Sequence, residues 1–323
     1  MTTQIRRRLY QALVALALMA IARDVTIAQT PFLRGQAVQP VYEGWEKNAD
    51  GSVSMVFGYM NRNFEEAPHV PVGSGNFFEP GPQDRGQPTH FDPRRQSFIF
   101  RVPLPADWGN KELVWTVNHN GRVAKAVGRM SPNWAIDEGV WRANRGAGIS
   151  GRTAADYIGN KAPVVQIVGS KSVTARVHAP LTLTASATDD GRPGPRPPQP
   201  RRTGEEGSAP ARVTLSNPDL PTVGGNHSGA ASGVGGPTDQ NVVQVRTAYE
   251  TGLAITWRHY RGGGNVIFEP RATPVKADGK ASVTVRFSEP GTHVIRAVAD
   301  DSTYTSGADV TVVVEAAAQD VRR

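Results

Sequence analysis

The stretch Leu113-Val114-Trp115-Thr116-Val117-Asn118-His119-Asn120-Gly121-Arg122-Val123-Ala124-Lys125-Ala126-Val127-Gly128-Arg129 reads as a β-hairpin. Leu113, Trp115 and Val117 recur at the two-residue period of a half-buried strand. Asn120-Gly121 supplies the positive φ angles that a tight two-residue turn requires. The same period runs through the rest of the chain. In Val53-Ser54-Met55-Val56-Phe57-Gly58-Tyr59 the odd positions are large and apolar. Phe98, Phe100 and Val102 alternate, as do Val283, Val285 and Phe287. Asp50-Gly51 separates the run around Val41–Trp45 from Val53–Tyr59, and Asp278-Gly279 precedes Ala281–Phe287. No convincing amphipathic helix follows residue 30. The fold class expected is all-β, built from strands that each bury one face against a second sheet.

Working outward, 323 residues suit about two domains. Fourteen of the 23 aromatic residues fall between Tyr42 and Trp141, and six more between Tyr249 and Tyr304. Large rings supply much of a core's buried area. The expected organisation is therefore an aromatic-rich sandwich over 38–135, a linker over 136–161 and a second sandwich over 162–316. Residues 191–240 hold ten Gly and nine Pro and no ring. Such a stretch cannot bury enough apolar surface to offset its ordering entropy, so 191–241 reads as a disordered insertion.

Arg6-Arg7-Arg8 precedes fourteen nearly all apolar residues, Leu9 to Ala22. That is the order of an export signal, expected over 1–28 with cleavage after Ala22 or Ala28. Fourteen residues are short of the ~20 that span a bilayer. The expectation is a secreted or periplasmic protein with no stable membrane span after cleavage; the alternative is a retained N-terminal anchor. Removing the three Arg lowers the formal charge from +7 to +4. No stretch has the clustered cations of a nucleic-acid arm. The absence of Cys excludes disulfides, thiolate metal sites, a Cys nucleophile and a lipidated Cys anchor.

The second half resembles the PKD and related immunoglobulin-like modules of secreted bacterial proteins, over about 161–190 and 250–316. The carriers are the strand ending at Asp189-Asp190-Gly191, Trp257 placed like a C-strand core Trp, and the run Gly291–Asp301. The resemblance implies a β-sandwich and little about function. Family members usually have Tyr where this chain has His293, so a histidine stands where the tyrosine corner would be. The first half resembles a group of uncharacterised secreted bacterial proteins, carried by Tyr42-Glu43-Gly44-Trp45, Phe57-Gly58-Tyr59-Met60-Asn61-Arg62-Asn63 and Arg85-Gly86-Gln87-Pro88-Thr89-His90-Phe91. No activity follows from that likeness.

Four candidate sites emerge. Asp189, Asp190, Asp300 and Asp301 end strands whose loops meet at one end of such a sandwich, and calcium favours carboxylate oxygens; they are the calcium candidates. The alternative is solvated loop acids, with no cofactor at all. Arg85, His90, Arg94, Arg95 and Arg101 suit an anionic or sugar ligand, or surface ion pairs. Tyr42, Trp45, Tyr59 and Trp108 suit a sugar platform or a core. Asn61-Arg62-Asn63 suits ligand contact or turn hydrogen bonds. Catalytic signatures are absent, and His69, His90 and His119 lie far apart without partner spacing. The leading expectation is an exported, non-enzymatic envelope or extracellular protein whose partner is an envelope protein or glycan. A carbohydrate-binding accessory protein is the alternative, and a hydrolase with dispersed residues a weaker one.

Overall fold

The computed structural model describes residues 32–48, 50–144, 154–195, 248 and 250–316. The export signal expected over 1–28 and nearly all of the insertion expected over 191–241 lie outside the described residues. No helix among the described residues is long and apolar enough to cross a membrane.

The first sandwich is made of β1 (Val38–Lys47), β2 (Val53–Asn61), β3 (Asn76–Glu79), β4 (Arg94–Leu104), β5 (Leu113–His119) and β6 (Arg122–Gly128). Two antiparallel sheets, β1-β2-β4 and β3-β5-β6, enclose one core. The hairpin read from sequence is present, with Leu113 opposite Gly128 and His119 opposite Arg122. Asn120 and Gly121 take φ angles of 54° and 71°, the left-handed pair that matches strand twist. Trp115 sits at the centre of the core. Its ring lies 5.8 Å from Phe78 and 5.1 Å from Phe100, and its indole N–H donates to Asn76 Oδ1 at 2.9 Å.

Two features depart from simple alternation. β2 is buried on both faces: Met55, Phe57 and Tyr59 enter the main core, while Val56 joins Phe98, Ile136 and Trp141. Opposite it, β4 carries extra residues, since Phe57 faces Phe100 but Tyr59 faces Gln96. Phe98 lies inside this bulge at φ 55°. It therefore leaves the row of Phe100 and Val102 expected from period two and stacks 4.5 Å from Trp141. Trp141 belongs to α1 (Glu138–Asn144), inside the segment expected as linker. That segment does more than connect, because its Trp caps the outer face of β2.

The second sandwich comprises β7 (Val164–Ile167), β8 (Ser172–Arg176), β9 (Leu181–Thr188), β10 (Ala254–Arg261), β11 (Val266–Glu269), β12 (Ala272–Pro274), β13 (Lys280–Phe287), β14 (Gly291–Asp300) and β15 (Thr305–Glu315). Its sheets run β12-β10-β14-β15-β8 and β11-β13-β9-β7. All pairings are antiparallel except β8 with β15. The strand order is that of an immunoglobulin-type sandwich. Trp257 on β10 is fully buried in its core, as expected of a C-strand Trp. His293, near the start of β14, bonds the carbonyl of Glu289 at 3.3 Å. An imidazole thus makes the upstream backbone contact that a corner tyrosine would make.

Candidate functional site

Most of the sequence-derived candidates take structural roles. Asp189 accepts from Gly191 N at 2.9 Å, and Asp190 from Arg192 N and Lys161 N, each at 2.9 Å. Asp300 accepts from Ser302 N at 2.7 Å, and Asp301 from Thr303 N and Tyr304 N, each at 2.6 Å. These are carboxylates closing their own turns. No group of three or more His, Cys, Asp or Glu among the described residues is arranged to hold a metal ion. Each of the four acids thus closes a turn, and calcium ligation by them stays an expectation.

Asp301 still has a consequence. It is fully buried, and burial pushes its carboxyl up to about 7, with the neighbouring Asp300 adding to the rise. A carboxyl whose folded pKa lies above its unfolded value binds a proton more tightly in the native state. This site therefore favours folding below the unfolded pKa, and the benefit is lost as pH rises towards 7. Asp301→Asn keeps the turn-closing Oδ1 and removes the charge. It is expected to stabilise the protein by a few kcal/mol at pH 8 and by almost nothing near pH 4. Chemical denaturation at both pH values checks this.

The basic run disperses. Arg95 donates through Nη2 to both Glu43 carboxylate oxygens, at 2.7 and 2.8 Å, Arg101 pairs with Glu46, and Arg94 lies 4.0 Å over the Phe64 ring. Tyr42, Tyr59 and Trp108 belong to the core, with Trp45 packed against it, so they form no exposed sugar platform. Asn61 and Asn63 are fully buried and hold the chain after β2: Asn61 donates to Glu66 O and Phe91 O, and Asn63 accepts from Gln36 N. His119 faces Glu66 at 3.6 Å.

The densest chemistry lies where the two sandwiches meet. Thr89 and His90 both donate backbone N–H to Tyr260 O, at 3.1 and 3.3 Å, and Gly262 N donates to Thr89 Oγ1 at 3.1 Å. Arg261 forks onto Asp84 at 2.7 and 2.9 Å and also donates to Gln87 O. Tyr260 reaches Gly86 O, joins the first sandwich's core and lies 3.4 Å beneath the Arg296 guanidinium. Arg258 donates to Gln96 at 2.6 Å. Asp92 receives Arg271 at 2.9 Å and stands 3.8 Å from Arg258. Burial raises the Asp92 carboxyl, but Arg271, His90 and Arg258 together hold it below its ordinary value.

Four imidazoles line the same seam. His69 and His90 pair through an isolated bridge, and the His90 ring lies 4.1 Å from His259, which lies 5.2 Å from His293. His259 Nε2 and His293 Nδ1 are 3.2 Å apart. Gly262, at φ +121°, lets the chain pass over them; a Cβ there would stand 2.6 Å from His293 Nδ1. A groove of about 570 Å³ opens onto His69, Asp84, Thr89, Arg261 and His293. Burial lowers the His90 and His259 imidazoles to about 4 and about 2, and each is lowered further by neighbouring histidines. Sequence spacing hid this site because its partners stand 162 to 179 residues apart. One signal was available. Arg258, His259, Tyr260 and Arg261 follow directly on the core residue Trp257, so a polar, aromatic run ends a core strand.

No protein-family model matches the chain, and no curated protein does. Among solved structures, similarity is found to the D00-D0 domain of Intimin, at 10% identity and TM-score 0.23, covering 86% of this chain and 100% of that one. Domains 4 and 5 of the S-layer protein SbsC match at 10% identity and TM-score 0.20, covering 86% and 98%. Immunoglobulin domains 1–4 of Sidekick-1 match at 8% identity and TM-score 0.22, covering 87% and 51%. Likenesses this distant carry no argument about function.

Proposed function

We propose that the protein is an exported, non-enzymatic component of the cell envelope or extracellular space, with a structural or interaction role. One observation carries this reading. The two sandwiches are joined by a buried, ion-paired seam, in which Asp92, Arg258, Arg271 and Tyr260 cross between them. Such a joint holds the two sandwiches at a fixed mutual orientation, as a spacer or scaffold requires. Domains that merely share a linker move relative to one another by default. The Arg-Arg-Arg and apolar order at the start of the chain supports export.

The test has two parts. Fractionation of the producing cell is expected to find the chain outside the cytosol with its leader removed. The purified mature protein is expected to co-sediment saturably with isolated envelopes, to give no signal on a glycan array, and to turn over no ester, glycoside or peptide substrate. Glycan binding without envelope binding, or turnover abolished by one His substitution, contradicts the proposal.

A further inference from the structure

We infer that the histidines at the seam form a proton-operated latch, closed while they are neutral and released when acid charges them. The inference does not depend on the proposed surface role. Both sandwiches contribute: His69 and His90 from the first, His259 and His293 from the second. His90, His259 and His293 are 6%, 4% and 2% exposed. The Nδ1 atoms of His90 and His259 are buried without a hydrogen-bond partner. A proton on either would place a full charge in a desolvated stack of imidazoles.

The surrounding charges offset only part of that cost: Asp92 favours a proton on His90 and His259, but burial outweighs it. Asp92 is 3.8 Å from His90 Nε2, but Arg271 and Arg258 already hold it. Asp84 is taken by Arg261. Glu289 attracts charge on His69 and His293 at the groove, and its carbonyl bonds His293. Phe287 presents a ring 4.8 Å from His293, and the buried Tyr59 lies beside Asp92. The groove gives water and protons a path to His69 and His293.

The sign follows from linkage. The unfolded or opened imidazole has its pKa near 6.5, above the closed-state values of about 4 for His90 and about 2 for His259. The closed state therefore has its full advantage above pH 6.5 and loses it as pH falls from there towards 4. Each histidine protonated only when open multiplies the open population about tenfold per pH unit, so two give about a hundredfold.

Amide hydrogen exchange on the mature chain at pH 7.5 and 5.5, corrected for intrinsic rates, tests this. The Thr89 and His90 amides, which donate to Tyr260, and the Gly262 amide are expected to lose about a hundredfold in protection at pH 5.5. Amides of β5 and β13 are expected to hold. The double variant His90→Phe/His259→Phe keeps two rings in place and removes the two most strongly lowered of the four protonation sites, so the hundredfold loss of seam protection should be absent. The single variant His259→Gln should halve the logarithmic response if the double variant does not fold. Unchanged protection in the wild type overturns the latch. So does equal loss in β5 and β13, a pH response that survives undiminished in the variants, or one that EDTA abolishes, which would make it the release of an ion.

Discussion

Asp92→Asn is expected to cost about 3–5 kcal/mol, the usual penalty for removing one partner of a buried ion pair. Asp92 is 6% exposed, and the side chains of Arg258 and Arg271 are 7% and 27% exposed. Without the carboxylate, the Arg258 and Arg271 guanidiniums lose the anion that lies between them. The loss should therefore appear as earlier opening of the seam, with both cores intact. Denaturant titration of wild type and variant gives the size of the effect. Wild-type stability also has a pH signature at this residue. Because the folded carboxyl is held below its ordinary value, its contribution is present above the unfolded pKa and disappears as pH falls through the folded one.

Trp115→Ala is expected to cost about 3–5 kcal/mol by a different route. The indole touches Phe57, Phe78, Phe91 and Phe100, with ring centroids 5.1 to 6.3 Å away. Four rigid rings from several strands cannot collapse into the space it leaves, so the loss combines transfer and cavity terms. The Asn76 Oδ1 acceptor would also be left buried and unbonded. Trp115→Phe removes the same donor but leaves a smaller cavity. It is expected to cost less than the Ala variant but more than ~1 kcal/mol, which thermal melting resolves.

The two sandwiches were legible because a strand's side-chain period is local. Leu113, Trp115 and Val117 announce a buried face, and Asn120-Gly121 announces its turn, within one stretch of chain. Trp257 and the strands around it were readable for the same reason. Phe98 was misplaced because a bulge adds residues without marking the sequence, which moves a ring to the other face. Trp141 looked like linker because its partners, Phe98 and Val56, lie on a face that alternation assigns to solvent. The seam was illegible for a third reason. His90 and His259, or Asp92 and Arg271, meet only once both sandwiches are built and docked, and no spacing rule reaches across 179 residues. The acids at the ends of β9 and β14 are legible in sequence, but not the backbone N–H groups that their carboxylates accept.

That docking is the claim on which the rest depends, and the lack of Cys makes it directly measurable. Lys125→Cys on β6 and Lys280→Cys on β13 put unique, exposed sites on the two sandwiches for nitroxide labels. Double electron–electron resonance on the doubly labelled chain at neutral pH is expected to give one narrow distance distribution. A broad or multi-peaked distribution there would mean that the sandwiches swing independently and that the seam does not hold them.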